Sequence, residues 1–429
     1  MRISVVGSGY VGLITAAGFA EKGYEVLCVD IDKDKVDMIN TKKPPIYEKG
    51  LKEILDHVVP GSLKATLDLE GSVLKTDITF ICVGTPSDDD GSINLRYVKE
   101  VSAQLGKILK KKKDYHVVVV KSTIIPGSTE DHVIPALEKE SGKKAGKDFG
   151  VVMNPEFLRE GVAIEDFMNP DRIVIGSIDE KSGDAVEGLY YKFKAPVLRV
   201  NLKTAEMIKY TANSMLATKI SFINEVGNIC KKLGVDVYDV SRGIGLDHRI
   251  GPHFISAGPG FGGSCFPKDV KALVHKACDV GVETILLDSV LKVNELQPKV
   301  MMDMLRERYR LKGAKVAVLG LAFKANTDDM RESPAIPIVE SLLGEGAKVA
   351  AYDPKAAENA RKVFGAGIHY CHSMKEALKD ADLAVVMTEW DEFKTLDVSN
   401  MRHKRVFDSR HIVNRDLLPK GVEYEGLCW

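Results

Sequence analysis

The first thirty residues constrain the fold more than any other stretch of this chain. Arg2 to Val6 is a short apolar run, RISVV. Gly7-Ser-Gly9-Tyr-Val-Gly12 follows and opens a helical stretch through Lys22, which Gly23 ends. Tyr24 to Val29 is a second apolar run, closed by Asp30. Strand, glycine turn, helix and strand make a βαβ unit. In such a unit Gly7 permits the tight turn, Gly9 lets the backbone approach a pyrophosphate, and Gly12 lets helix pack closely on strand. The free N–H groups at the helix start then face the phosphates. A lone G-x-G-x-x-G says little, but this one follows a strand, opens a helix and has an acidic residue at the end of strand two. Asp30 is placed to accept hydrogen bonds from ribose hydroxyls and to repel a 2′-phosphate. The pattern therefore predicts NAD rather than NADP.

Further apolar runs at Ile78 to Val83, Val117 to Val120, Phe149 to Met153 and Arg172 to Ile175 alternate with helical segments, which indicates a mainly parallel, doubly wound sheet. The turns Val83-Gly84-Thr85-Pro86 and Lys121-Ser122-Thr123 follow two of these strands, where open α/β sheets bind ligands. Near residue 200 the character changes. Thr204 to Leu233 keeps apolar residues at helical spacing, and Ser264 to Leu311 is mostly helical, with Pro298 as a start or kink. From Lys312 the alternation resumes: strands at Lys315 to Leu319, Lys348 to Tyr352 and Leu383 to Met387, and a helix at Pro334 to Leu343. Val-Ala-Val-Leu-Gly320 echoes the first strand and turn, and Ala-Tyr-Asp353 echoes Cys-Val-Asp30. The expected architecture is α/β: two Rossmann-like doubly wound lobes, at 1–200 and 312–429, joined by a central all-helical domain at 201–311. In the second lobe Gly320-Leu-Ala-Phe-Lys324 replaces the glycine fingerprint. A lysine at that turn suits a diphosphate, so this lobe is expected to hold a nucleotide other than NAD.

At 429 residues the chain exceeds one ordinary core. Its net charge of −1 offers no global field for nucleic acid or an anionic membrane, so an anionic substrate needs local cations. Seven scattered cysteines without a C-x-x-C argue against a disulfide framework or zinc site and for a reducing compartment. The N-terminus enters a strand with no signal-peptide pattern, and no apolar run reaches the ~18 residues of a membrane span. A cytoplasmic protein is expected.

The most informative stretch is Gly258-Pro-Gly-Phe-Gly-Gly-Ser-Cys265-Phe-Pro-Lys268-Asp269. Its glycines let a loop wrap closely around a ligand. A cysteine beside a lysine at a helix start is a candidate nucleophile. Cys28, Cys82, Cys230 and Cys278 read as buried, inert thiols. In Asn154-Pro-Glu156-Phe-Leu-Arg-Glu160-Gly161 the two glutamates are four apart, so a helical turn would place them on one face. Lys209 and Asn213 share the same spacing, with Met207, Ile208, Met215 and Leu216 around them. A buried helix is expected there, whose lysine and asparagine need partners.

These segments, GSGYVG at 7–12, ICVGTP at 81–86, NPEFLREG at 154–161, KYTANS at 209–214, GPGFGGSCFPKD at 258–269 and GLAFKANTDDMRESP at 320–334, resemble the UDP-glucose/GDP-mannose dehydrogenase family along the whole chain. The resemblance implies NAD-dependent four-electron oxidation of a nucleotide sugar, UDP-glucose to UDP-glucuronate at C6, through cysteine thiohemiacetal and thioester intermediates. UDP-N-acetylmannosamine, UDP-N-acetylglucosamine or GDP-mannose are the alternative substrates. It assigns Cys265 as nucleophile, Lys209 as general base or electrostatic stabiliser with Asn213 and Asp269, and Thr123 and Glu156 as the residues that position the hydrolytic water. Gly7, Gly9, Tyr10, Val11, Gly12, Asp30, Lys35, Thr85, Thr123, Glu160, Lys268 and Arg331 would contact NAD. Glu156, Phe157, Leu158, Lys209, Asn213, Phe254, Ser256, Gly258, Gly262 and Lys324 would contact the nucleotide sugar. Arg249 would reach it from the same or a neighbouring subunit. Family members are typically homodimers joined through the central helices, or assemblies of such dimers. A two-electron β-hydroxyacid-type dehydrogenase would release one NADH per substrate instead of two, and a non-catalytic NAD sensor none.

Overall fold

Alternating apolar runs and helices give two sheets, one mainly and one wholly parallel, each with the strand order of a dinucleotide-binding fold. The computed structural model describes residues 1–429. The chain divides into two compact units, Met1–Ala212 and Asn213–Trp429.

In the first unit the strands are β1 (Arg2–Val6), β2 (Glu25–Val29), β3 (Leu63–Thr66), β4 (Ile78–Ile81), β5 (Val117–Val120), β6 (Gly150–Met153), β7 (Ile173–Ser177) and β8 (Val197–Val200). They lie in the order β3-β2-β1-β4-β5-β6-β7-β8. Pairing is parallel except between β6 and β7. β1 is flanked by β2 and β4, with Ile3 opposite both Val26 and Ile78. Strand order reverses there, and in sheets of this kind ligands bind outside the carboxyl ends of the strands on either side of that point, here β1 and β4. β4, β5 and β6 are buried along their whole length, as sheet centres covered on both faces must be. The helix Tyr10–Glu21 buries Leu13, Ile14, Ala17 and Phe19 against one face. The opposite face is covered by the helix Arg96–Lys111 through Val98, Leu105 and Leu109.

The second unit holds β9 (Lys315–Leu319), β10 (Lys348–Tyr352), β11 (His369–Tyr370), β12 (Leu383–Val386), β13 (Arg405–Asp408) and β14 (Glu423–Gly426). Their order is β11-β10-β9-β12-β13-β14, all parallel. It repeats the first six positions of the other sheet. The helices Val237–Gly245, Phe266–Asp279 and Ile285–Arg308 belong to this unit, and Ile223, Val237, Met301 and Leu305 share one core with Val316, Ile338 and Phe407. Pro298 does not start a helix, since the helix Ile285–Arg308 runs through it. Residues 264–311 are mostly helical, in two helices separated after Asp279, where Gly281 takes φ +74°.

The helix Leu202–Leu233 begins in the first unit and ends in the second. Its burial departs from expectation on one face. Lys209 and Asn213 are 3% and 6% exposed, whereas Met207 and Met215 are 42% and 59% exposed. An amphipathic helix separates its faces in this way; four apolar neighbours in sequence do not surround a residue in space. No helix of the molecule is long and apolar enough to cross a membrane.

Candidate active site

The turn after β1 is shaped as its glycines require. Gly7 takes φ +97°, and a Cβ there would lie 2.7 Å from the Cys82 carbonyl. A Cβ on Gly12 would lie 1.8 Å from the Gly7 oxygen, so both positions exclude any side chain. A Cβ on Gly9, by contrast, would meet nothing within 4 Å, so the backbone there is open to a ligand. Gly9 caps the helix Tyr10–Glu21 without a side-chain hydrogen bond, and no acidic residue occupies its first turn. Those N–H groups are left for an anion. Asp30 Oδ2 accepts from Ser8 N and Ser8 Oγ, each at 2.6 Å, and Oδ1 accepts from Asp32 N at 3.0 Å. Burial pushes this carboxyl up, but those hydrogen bonds and the charge of Lys35 outweigh it, and the net shift is below the usual range. An ionised aspartate beside an uncapped, acid-free helix start fits a dinucleotide. Thr85 Oγ1 donates to the Thr123 carbonyl at 2.8 Å and joins the turns after β4 and β5. Val11 and Tyr10 pack on the core of this unit.

Tyr10 leads to a residue that sequence reasoning misses. Its phenol donates to Glu48, which is 6% exposed. The same carboxylate accepts from Gly161 N and Ala163 N, each at 2.7 Å. Glu48 thus ties the cofactor turn to the end of the Asn154–Gly161 segment. The only sequence signal is an acid next to Pro44, Pro45, Ile46 and Tyr47, an apolar loop where a carboxylate must find donors.

Asn154 to Arg159 forms no helical turn, so the four-residue spacing of Glu156 and Glu160 does not set them on one helix face. Pro155 removes a donor and disfavours helix at the residue before it. Glu156 is buried at 6% exposure and Glu160 half-buried. Lys209 Nζ stands 2.9 Å from Glu156 Oε1, and Leu158 N donates to Oε2 at 2.5 Å. Burial works against the Glu156 anion. The charge and hydrogen bond of Lys209, the Leu158 amide and the charge of Lys121 hold its carboxyl below the usual range. Phe157 lies beneath the Arg172 guanidinium, 3.6 Å from the ring centroid.

In the second unit Cys265 is the N-cap of the helix Phe266–Asp279 and is partly exposed, with Sγ 3.6 Å from Ser264 Oγ. One turn on, Asp269 is 1% exposed. Its carboxylate accepts from Asn213 Nδ2 at 2.7 Å and from Lys268 Nζ at 2.5 Å. Lys268 is thereby held beside Asp269 through one of its donors. Of the other cysteines read as buried, Cys28, Cys82 and Cys230 are, and Cys278 is exposed. The preceding loop spends glycine on its own chain: a Cβ at Gly262 would meet the Glu332 carbonyl at 2.2 Å. Gly258 N donates to Asn224 Oδ1 at 2.8 Å. Phe254 holds a left-handed φ of 63°, Ser256 is exposed, and Lys324 sits over the Phe323 ring. Arg249 and Arg331 lie at the surface, forked on Asp247 and Asp329 at 2.6 and 2.7 Å. Asp353, the counterpart of Asp30, is turned inward and accepts from Leu321 N, Ala322 N, Trp390 Nε1, Lys355 N and Ala356 N.

Known proteins align with this geometry over the full chain. Residues 1–194 match the NAD binding domain of the UDP-glucose/GDP-mannose dehydrogenase family, 203–296 its central domain and 317–415 its UDP binding domain. The UDP-glucose 6-dehydrogenase AglM of Haloferax volcanii is 46% identical, with 100% of each chain covered. A GDP-mannose 6-dehydrogenase of Pseudomonas putida is 39% identical, again over 100% of both. The solved UDP-glucose dehydrogenase of Pyrobaculum islandicum superposes with a TM-score of 0.94 at 43% identity, covering 100% of this chain and 98% of that one. With two parallel lobes, an NAD-type turn and relatives of this similarity from end to end, the chain belongs to the UDP-glucose/GDP-mannose dehydrogenase family.

Proposed function

We propose that the protein oxidises C6 of UDP-glucose to the carboxylate of UDP-glucuronate, using NAD, with Cys265 as the covalent anchor between two oxidations. The observation that carries the chemistry is Cys265 at a helix N-cap, one turn before a buried Asp269 held by Asn213 and Lys268. The choice of sugar nucleotide is supported by relatives named for UDP-glucose at 46% and 43% identity.

NAD, held by the Gly7–Gly12 turn and Asp30, supplies the hydride acceptor in each two-electron oxidation. Removal of the C6 hydroxyl proton falls to Lys209. The Cys265 thiolate then bonds to the aldehyde carbon as the carbonyl π bond breaks, and the oxygen takes a proton to give the thiohemiacetal. Asn213 and Lys209 stabilise the negative charge on that oxygen, a contribution of ~3 kcal/mol for one such donor. The second oxidation leaves a thioester. Water adds to it with Glu156 taking a proton, the C–S bond breaks, and the thiolate departs. Thr123 positions that water. Thr85, Glu160, Lys35, Lys268 and Arg331 complete the cofactor contacts, and Phe157, Leu158, Phe254, Ser256, Gly258, Gly262, Lys324 and Arg249 the substrate contacts. Met215, Phe222 and Ile229 recur every seven residues on the long helix and are more than half exposed, as is Leu233. We assign this stripe to a second copy of the chain, making a homodimer. Seven free cysteines suit the cytoplasm.

The test is NADH yield with UDP-glucose, GDP-mannose and the N-acetylated UDP-sugars, for the wild type and Cys265→Ser. Two NADH per UDP-glucose and loss of acid formation by more than ~100-fold in the variant are expected. One NADH per sugar, or a variant that makes acid at the wild-type rate, rules the mechanism out.

A further inference from the structure

Three cations act on Glu156: Lys209, Lys121 and, just before β7, Arg172, whose guanidinium is taken up over the Phe157 ring; the mechanism uses only Lys209. Lys121 follows β5 directly, is 4% exposed, and donates to Asn154 Oδ1 at 3.0 Å and, less closely, to the Asn154 carbonyl at 3.4 Å. Asn154 is itself fixed, accepting from Tyr190 Oη at 2.6 Å and donating to the Val174 carbonyl at 2.8 Å. The titratable groups that act on Lys121 are Cys82 after β4, Glu156 after β6 and Lys209 on the long helix. A neutral donor would satisfy Asn154 equally well. Burying an ammonium for that purpose alone is costly.

The charge has a use if Lys209 cycles its proton. When Lys209 is neutral and able to accept from the substrate alcohol, Glu156 loses its closest counter-charge. Left alone, a buried carboxylate is driven toward its protonated form and cannot act as a base. We infer that Lys121 is a positioning residue for thioester hydrolysis, acting through Glu156: its charge keeps that carboxylate ionised while Lys209 is neutral, and its hydrogen bonds fix the root of the loop that carries it. This inference rests on the reading of Glu156 as the hydrolytic base. Repulsion between the two ammonium groups also eases proton loss from Lys209. Burial, with the Lys209 charge adding to it and Cys82 and Glu156 opposing, brings Lys121 down to about 8, so at neutral pH it remains the ammonium this role requires.

Lys121→Gln keeps a donor for Asn154 and removes the charge. Rapid mixing of the full-length protein with NAD and UDP-glucose separates the NADH burst from steady-state turnover, which reports hydrolysis, and both are followed across pH. The expected result is a retained burst of two NADH per site, steady-state turnover lowered about tenfold near neutrality, and the acid limb of turnover displaced upward by roughly one pH unit, because Glu156 now protonates more readily. An unmoved acid limb overturns the inference, however much the rate falls. If Lys121→Gln does not fold, Asn154→Asp neutralises the lysine by pairing it. The same upward displacement is expected there, and its absence counts equally against the idea. Glu156→Gln separates the two readings. If it stops hydrolysis while Lys121→Gln leaves the limb in place, the role of Lys121 alone is lost. If Glu156→Gln hydrolyses normally, the assignment of Glu156 fails and takes this inference with it.

Discussion

His116, directly before β5, is fully buried, with Nε2 2.7 Å from Thr79 Oγ1 on β4 and Nδ1 3.1 Å from the Thr76 carbonyl. Burial, reinforced by the Lys112 charge, pushes its pKa down to about 3. The ring is thus neutral in the folded chain, while in the unfolded chain it protonates near its ordinary ~6.5. Between these values the unfolded state binds the extra proton, so this contribution to stability is complete above ~6.5 and declines as pH falls toward 3. The slope is at most about 1.4 kcal/mol per pH unit. Urea midpoints at neutral and mildly acidic pH should therefore fall further in the wild type than in His116→Gln; equal losses would exclude the effect. At this scale the sequence is partly transparent. Gly7, Gly9 and Gly12 are legible because their roles are local backbone geometry. The partner of Lys209 is not, because Glu156 stands 53 residues away and nothing in either segment names the other. The need for partners follows from burial, but their identity does not.

Elements are legible in proportion to their burial. β1, β5, β9 and β10 can be read to the residue, since continuous apolar runs of that kind fit little else. β3, with alternating exposure at Leu63–Thr66, and β13, whose run RVFD follows three basic or polar residues, carry too short a signal. The Asn154–Arg159 segment misleads for a related reason: i,i+4 spacing describes a helix only when the backbone is helical, and Pro155 prevents it. What shapes that segment is Glu48. Glu48→Ala removes the acceptor of Ala163 N and of the Tyr10 phenol, and the shorter of the two acceptors of Gly161 N, which keeps Tyr10 Oη at 3.1 Å; each donor left unsatisfied costs about 1–3 kcal/mol. Hydrogen exchange at Gly161 and Ala163 should accelerate by about tenfold or more, with a raised KM for NAD. Unchanged exchange at both amides would show that the carboxylate holds nothing in place.

For the whole molecule, the internal echo between the two ends of the chain is the most far-reaching signal, and the sheets repeat the same six-strand order. It succeeds because strand order follows from the alternation of elements, which identity loss does not erase. The exposure of Met215 and Phe222 escapes such a reading, since apolar residues on a long helix fit a core and an intersubunit seam equally well. If the stripe is the seam of the dimer proposed above, Phe222→Glu places a charge in its middle, and light scattering is expected to give the variant half the mass of the wild type. An unaltered mass would move the contact elsewhere.

Asp353 limits what can be engineered into the second lobe. Five donors already converge on its two oxygens, two from the backbone of the very turn that would have to cradle a cofactor. Asp30, with fewer inward partners, retains lone pairs for a sugar hydroxyl. Grafting a glycine fingerprint onto residues 320–325 would therefore leave a lobe with the outline of a dinucleotide cradle and no hand to hold the ribose. Restoring that capacity would mean dismantling the brace that now keeps the turn in shape.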